Sequence, residues 1–368
     1  MADAAQVSRR LDKRPDMVVH ETDPYNAEPP RGALAEAPLT ALDAFYVRNH
    51  GPVPEAGAEW RVRVDGLVER PLELSVDELR ERFGARREIV TLQCAGNRRA
   101  GLQEVRQIPG EAPWGPGATG TAEWTGASLA DVLAAAGLEA EAGHVEFVGA
   151  DTSPEADPPE PFGASIPRRK ALFGEVLLAW EMNGHPLRPA HGAPLRAIVP
   201  GYIGARSVKW LRRVHARATP SENFFQARTY RLLPADADAD AGLRGEGVAL
   251  GAVGVNADFL TPADGSRVRA GPLEVAGYAF CGDDRHIVRV DVSSDGGRRW
   301  CQARLLDPAS RWAWRRWRAR VEVPVGEVEL VARAWDSAAA TQPDDPAQLW
   351  NPKGYVNNSW ARLRLTAR

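Results

Sequence analysis

Thr91-Leu92-Gln93-Cys94-Ala95-Gly96-Asn97-Arg98-Arg99 is the densest chemical signal in the chain. An apolar, strand-like run ends on a cysteine, and a glycine turn then brings two arginines beside it. Neighbouring positive charge lowers a thiol's pKa and favours the thiolate, the form that acts as nucleophile or soft-metal ligand. A buried cysteine beside a solvated arginine pair would give the same string. Three chemical readings of a Cys94 thiolate compete. A Cys–His nucleophile needs a base within reach, and His50 or His191 has the right side chain. A zinc site wants further thiolates or closely spaced histidines, and neither HExxH nor paired CxxC occurs. The third is a single protein thiolate completing a metal held mostly by a cofactor. The local string does not choose between the first and the third.

Three further clusters lie outward from this stretch. Val47-Arg48-Asn49-His50-Gly51-Pro52 sets a guanidinium and an imidazole side by side in a turn-rich loop. His191-Gly192-Ala193-Pro194-Leu195-Arg196 supplies another His and Arg. Gly201-Tyr202-Ile203-Gly204-Ala205-Arg206-Ser207-Val208-Lys209-Trp210 joins a glycine-rich turn to a hydroxyl and two cations. Glycines let backbone N–H groups approach an anion, while Arg and Lys neutralise it. Each cluster alone reads as a solvated charged loop; together they point to a phosphate-bearing ligand and a second oxyanion. Neither GxGxxG nor GxxxxGK[ST] is present, so no Rossmann or P-loop nucleotide site is indicated.

At 368 residues the chain exceeds one ordinary domain. Residues 1–38 are polar and Pro-rich and read as an extended arm with little helix or strand of its own. Residues 39–247 mix short strands with short helices, which argues for an α+β domain. Trp60–Val68 alternates as a half-buried strand, and shorter strands are expected at His144–Val148 and Arg196–Val199. Ser75 before Val76-Asp77-Glu78-Leu79 is a capping-box pattern, and Ser128 before Leu129–Ala136, closed by Gly137, is read as the same device. Pro234–Gly247 looks like a connecting loop. Over residues 248–368 the texture becomes all-β. Leu273–Phe280, Ile287–Ser293, Trp312–Trp317 and Val328–Ala334 read as strands, and Ser294-Asp295-Gly296-Gly297 as a hairpin turn. That spacing suggests an immunoglobulin-like sandwich.

Hydrophobic residues at 44% and charged residues at 26% suit a globular core. A net charge of −3 gives no argument for nucleic acid or a membrane surface as partner. Cys94, Cys281 and Cys301 lack CxxC spacing and suit a reducing compartment. Ser8-Arg9-Arg10-Leu11 superficially resembles a twin-arginine export signal, but charged residues and Pro15 follow where an apolar run is needed. A cytoplasmic location is the expectation.

TLQCAGNRR (91–99), VRNHGPVP (47–54), AWEMNG (179–184), HGAPLR (191–196), IVPGYIGARSVKWL (198–211) and WNPKGYVNNSW (350–360) together resemble the molybdenum-binding and dimerisation domains of the sulfite oxidase family. The likeness is strongest to its plant-type members, which lack a haem domain, and runs in family order from about Pro29 onward. The resemblance implies one molybdenum per chain, held by a pyranopterin dithiolene and by Cys94, with no haem. It implies a pterin and phosphate grip from Tyr46, Val47, Arg48, Asn49, His50, Asp151, His191, Arg196, Ser207, Val208 and Lys209. It implies a substrate pocket of Arg48, Arg99, Trp114 and Tyr230, with Tyr230 hydrogen-bonding to the reacting oxygen and relaying a proton. The implied reaction is oxidation of sulfite to sulfate by oxygen-atom transfer. Electrons would pass to oxygen or to an external acceptor such as a cytochrome, and two copies would associate through the C-terminal domain. Two departures stand out. The family's Trp-Asn-Leu-Arg-Gly reads Trp350-Asn351-Pro352-Lys353-Gly354 here, so either Lys353 takes the place of a pocket arginine or the loop is displaced, and a weaker sulfite affinity is expected. Thr229 occupies a place where animal members carry an acidic residue.

The rival readings are a nitrate reductase-type or a protein methionine-sulfoxide reductase-type molybdoenzyme of the same fold. More distant are a Cys–His hydrolase and a non-enzymatic interaction protein built on the immunoglobulin-like domain.

Overall fold

The strand Arg86–Gln93 leads directly into Cys94 and forms one edge of a five-stranded antiparallel sheet. It pairs with Thr119–Ser128, which pairs with Leu177–Met182; His185–Pro186 and Arg196–Ile198 extend the sheet beyond. The computed structural model describes residues 4–57, 59–306 and 308–368. Val90, Leu92, Ala122, Trp124, Leu177 and Ile198 form a buried cluster that includes Cys94. A second sheet runs in the order Leu72–Ser75, Arg61–Gly66, Leu211–Arg217, His144–Ser153, Glu160–Pro167. All its pairs are antiparallel except Arg61–Gly66 with Leu211–Arg217. Val62 and Val64 point inward and Arg61 and Arg63 outward, as the two-residue period of a strand requires.

The helix Val76–Phe83 carries the expected capping box: Ser75 Oγ accepts from Glu78 N, and the Glu78 carboxylate accepts from Ser75 N. The helix Leu129–Ala136 does not repeat it. Ser128 ends a strand, its hydroxyl is buried without a partner, and it makes no cap. Four apolar side chains buried on this helix replace the cap as its anchor. Gly137 closes it at φ +72°, donating to the carbonyls of Ala134 and Leu133.

The N-terminal segment departs from the expected irregular arm. It contains a helix at Ala4–Arg10, a hairpin of Val18–Thr22 with Tyr25–Glu28, and a 3-10 turn at Arg31–Ala35. Val7, Met17, Tyr25 and Ala27 pack on Val47 and Ala190, so tertiary burial organises a stretch that has no periodicity of its own. Glu28 at the end of the hairpin is buried and accepts from Gly115 N (2.5 Å) and Gly117 N (2.7 Å), and it pairs with His20 at 2.9 Å. Glu28→Ala leaves these donors unpaired. It is expected to lower stability by about 1–3 kcal/mol in a denaturant titration; an unchanged midpoint would show that the contact contributes nothing.

Residues 256–367 form two facing sheets around one core. One runs Asn256–Thr261, Gly271–Phe280, Arg315–Val323, Arg304–Leu305; the other runs Arg267–Val268, Ala361–Ala367, Gly326–Asp336, Ile287–Ser293, Cys301–Gln302. Val275, Trp317 and Val321 from the first meet Val290, Leu330 and Leu363 from the second. The expected strand at Trp312–Trp317 begins only at Arg315. Trp312 instead joins the cluster around Cys94, and Trp314 joins a core shared by both parts of the chain, 4.9 Å from the Tyr278 ring and with its backbone N–H donating to Thr91 Oγ1 at 2.7 Å. Residues 234–247 contain turns but no helix or strand, as read from their composition. Among the described residues no helix is long and apolar enough to cross a membrane.

Candidate active site

Cys94 follows the last residue of its strand, and its N–H is held by the Ala118 carbonyl at 2.9 Å. The chain then turns back: Asn97 N donates to Cys94 O, and Gly96 N lies 3.4 Å from Cys94 Sγ. A side chain at Gly96 would meet the Arg99 guanidinium within 3.0 Å, so glycine is what allows Arg99 to fold under the cysteine loop. Arg98 adopts φ +64° and sends its guanidinium to the Ser359 and Trp360 carbonyls, both at 3.0 Å. Val356 N donates to Ala95 O, and Asn357 Nδ2 donates to Arg98 O, each at 2.8 Å. The C-terminal domain thus buttresses the cysteine loop directly.

Cys94 opens on a cavity. Tyr46, Val47, Arg48, Asn49, His50, Asp151, His191, Arg196, Ser207, Val208, Lys209 and Tyr230 all line it, although they come from five separate stretches of chain. Arg99, Trp114 and Lys353 do not line it. Arg99 is buried behind the cysteine loop, donating to the Lys353 and Ala112 carbonyls (3.0 Å each) and pairing with Glu111 at 3.1 Å. Trp114 is fully buried, with its ring 4.5 Å from that of His20. Lys353 Nζ is held by Glu111 at 3.2 Å. The expected anion-facing lysine is therefore neutralised, on a carboxylate that it shares with Arg99.

Positive charge dominates the cavity wall. Arg196 is buried and donates to the His191 carbonyl and the Ser207 carbonyl at 2.9 Å each, while its Nε has no partner. Lys209 donates to Asn49 Oδ1 and to the Ala190 carbonyl. Burial first, then Arg196, pushes Lys209 well below the ordinary lysine value. Asp151 is pushed upward by burial, and one of its carboxylate oxygens is buried without a partner. His191 Nε2 lies 2.7 Å from Lys13 Nζ, and burial and that cation hold it well below its usual value. Ser207 turns its hydroxyl to Val199 N at 3.0 Å, so its side chain is already used. Gly204 carries no side chain where a Cβ would stand 2.5 Å from the Tyr46 hydroxyl.

The thiol itself departs from the expectation drawn from its arginine neighbours. Burial raises the Cys94 pKa, and Arg48 and Arg99 only partly oppose it. A coordinating cation removes a thiol proton outright, so the environment suits a metal ligand better than a free nucleophile. Nor does a base reach the sulfur. His50 is engaged by Glu155 and Tyr230, His191 by Lys13, and among the described residues neither hydrogen-bonds to Sγ. The Cys–His hydrolase reading loses its base. No three His, Cys, Asp or Glu side chains among the described residues converge to hold a metal, so a metal at Cys94 must take its other donors from outside the chain. The orphaned Arg196 Nε and Asp151 oxygen, with the surplus of cations, fit an anionic group rich in N–H donors.

Four contributors escaped the sequence reading. Tyr355 stacks on Tyr230 at 5.5 Å and faces Arg99; it lies inside the WNPKGYVNNSW string and was within reach. Glu111, Glu155 and Lys13 sit in loops or in the arm with no pattern to mark them.

Residues 50–225 match the oxidoreductase molybdopterin binding domain, and residues 249–368 match the Mo-co oxidoreductase dimerisation domain. The chain is 44% identical to sulfite oxidase of Gallus gallus, over 95% of this chain and 78% of that protein. It is 37% identical to sulfite oxidase of Arabidopsis thaliana, over 98% and 96%. It spans about two thirds of the mammalian mitochondrial sulfite oxidases that it also matches. The solved structure of the sulfane dehydrogenase SoxCD from Paracoccus pantotrophus superposes with a TM-score of 0.80 at 28% identity, over 95% of this chain and 86% of that one.

Proposed function

The chain belongs to the sulfite oxidase family of molybdopterin-dependent oxidoreductases, and on that premise we propose that it oxidises sulfite to sulfate at a molybdenum–pterin centre ligated by Cys94. The observation that carries this reading is the single cavity in which Cys94 faces Arg48, Arg196, Lys209 and the orphaned Asp151 oxygen. When bound, the cofactor supplies the two-electron redox change and the oxygen-atom transfer.

The chain's residues supply the rest. Arg196 and Lys209 suit a phosphate ester, with Tyr46, Val47, Asn49, Ser207, Val208 and His191 shaping the wall around it. Asp151 accepts from N–H donors. Arg48, one quarter exposed, meets the incoming anion; its positive charge raises the local concentration of sulfite and orients it. Tyr230, fixed between His50 and Tyr355, holds a hydroxyl at the same wall. Arg99 and Lys353 act from behind, restrained by Glu111. Arg99 is also anchored on the Lys353 and Ala112 carbonyls, so Glu111→Gln frees Lys353 alone and is expected to lower the KM for sulfite about threefold, in keeping with the small coupling of a part-exposed pair. A raised KM would place Glu111 in a structural role instead.

The reading divides the chain into residues 39–247 for catalysis and 248–368 as an immunoglobulin-like unit joining two copies, behind an N-terminal segment of 1–38. Sulfite is favoured over nitrate by the relatives: the chain is 44% identical to a sulfite oxidase across 78% of that protein, against 38% to a nitrate reductase of Hordeum vulgare across 41% of it. Oxygen or an external cytochrome is proposed as acceptor. The unpaired Cys281 and the exposed, unpaired Cys301 suit the reducing cytoplasm.

The experiment is elemental analysis of protein made in a cofactor-competent host, then sulfite-dependent reduction of ferricyanide. One molybdenum per chain with turnover is expected. Protein free of molybdenum, or loaded protein inert to sulfite, would defeat the proposal.

A further inference from the structure

His50 stands between the cavity and the surface. Its Nε2 lies 2.7 Å from the Tyr230 hydroxyl, and its Nδ1 lies 2.6 Å from Oε1 of Glu155. Arg48 Nη2 is 3.2 Å from the same Nδ1. These contacts cannot all be hydrogen bonds at once. A neutral imidazole donates from one nitrogen and accepts at the other, an arginine only donates, and an ionised carboxylate only accepts. Burial and Arg48 push His50 down to about 4, so the ring is neutral at ordinary pH. The carboxylate contact is the shorter one, and with a bare Nδ1 it would set lone pair against lone pair. Nδ1 therefore carries the proton and gives it to Glu155. Nε2 is bare, and the Tyr230 hydroxyl must donate to it.

The surroundings hold this arrangement in place. Phe162 stacks on the His50 ring at 5.2 Å and Phe225 lies at 4.4 Å. Ser153 Oγ donates to the His50 carbonyl at 2.8 Å and accepts from Glu155 N at 3.2 Å, which ties the two loops together.

We propose that Glu155 is a positioning residue: it fixes the Nδ1–H form of His50 and so makes the Tyr230 hydroxyl an acceptor, not a donor, toward the cavity. This revises the role given to Tyr230 by the family resemblance, and it rests on the sulfite reading only for what the cavity holds. Oxidation of sulfite with water, SO3²⁻ + H2O → SO4²⁻ + 2H⁺ + 2e⁻, leaves protons to be collected. Tyr230 takes a proton from an O–H in the cavity as its own hydroxyl proton forms the Nε2–H bond. Glu155 then stabilises the resulting imidazolium and, being 42% exposed, passes the Nδ1 proton on to bulk water as one of the two protons released, after which the ring regains its Nδ1–H form. No electron moves in this step. An orienting carboxylate behind an imidazole acts in the same way in hydrolytic triads.

The test combines a spectroscopic and a kinetic readout. Two-bond ¹H–¹⁵N correlation on the holoprotein labelled with ¹⁵N-histidine, with His50→Gln identifying the resonance, is expected to show Nδ1–H in the wild type. Glu155→Leu is expected to convert it to Nε2–H, with Arg48 donating to Nδ1. The same variant should lower kcat about tenfold, modest for acid–base assistance, with KM for sulfite within about twofold. Glu155→Gln, whose amide oxygen still accepts from Nδ1–H, should recover most of both. A wild-type ring in the Nε2–H form overturns the proposal. So does an unchanged tautomer, or an unchanged kcat, in Glu155→Leu. Wild-type protein that does not turn over sulfite would instead defeat the functional reading, and the tautomer readout would still decide this one.

Discussion

Cys94→Ser is expected to reduce sulfite turnover on the order of 10³-fold or more. Loss of an outer partner of a metal ligand already costs roughly 10–100-fold in affinity or activity, and among the described residues Cys94 is the only thiol at the cavity. Serine is nearly isosteric, so the loop held by Ala118, Val356 and Arg98 should keep its shape. The pterin grip at Arg196 and Lys209 lies elsewhere on the wall, so the variant should retain pterin while losing turnover. Pterin fluorescence after oxidation and steady-state ferricyanide reduction separate the two. Turnover above a tenth of wild type would remove Cys94 from the metal.

Arg48→Gln is expected to be the next most damaging change. Among the described residues Arg48 and Arg196 are the guanidiniums at the cavity wall; both donate to backbone carbonyls, but Arg48 is the one that is part-exposed to an incoming anion. A charge-assisted hydrogen bond contributes about 1.5–3 kcal/mol, which corresponds to roughly 10–100-fold in kcat/KM. The loss should fall largely on KM, because the guanidinium collects the anion. Arg48→Lys keeps the charge without the planar fork and should fall between the two. If Arg48→Gln left kcat/KM within twofold, the anion would enter by another wall. Salt should raise the wild-type KM more than that of the variant, since it screens an attraction the variant lacks.

Local patterns explain what was legible in the sequence. Val62 and Val64 alternate with arginines, so that strand was readable. Ser75 and Glu78 satisfy each other within one turn, so that helix start was readable too. The cavity residues were readable because their motifs are contiguous strings, although nothing in the strings reveals that they meet. What failed depends on partners distant in sequence. The helix and hairpin before residue 29 exist because Val7, Tyr25 and Ala27 find Val47 and Ala190. Trp312 and Trp314 were assigned to a sandwich strand by pattern, yet Trp312 lies in the cluster around Cys94 and Trp314 in a core shared by both parts of the chain. The charge on Lys353 was visible, but its neutralisation by Glu111, 242 residues away, was not. The direction of the Cys94 shift was misjudged for a related reason: adjacent arginines are visible in a string, and burial is not.

The buttress beneath the cysteine loop also bears on when the protein becomes competent. Ala95 and Arg98, which follow Cys94, are clasped by Val356, Asn357 and Ser359, more than 250 residues downstream. At the roughly 5–20 residues per second of synthesis, the cysteine emerges well before the segment that sets its loop. Until that segment arrives the loop that carries the thiol lacks these hydrogen bonds. Cofactor insertion is thus expected to follow the folding and docking of the C-terminal sandwich. A chain stalled between the two domains would hold every residue that lines the cavity and still have no finished place to seat a metal.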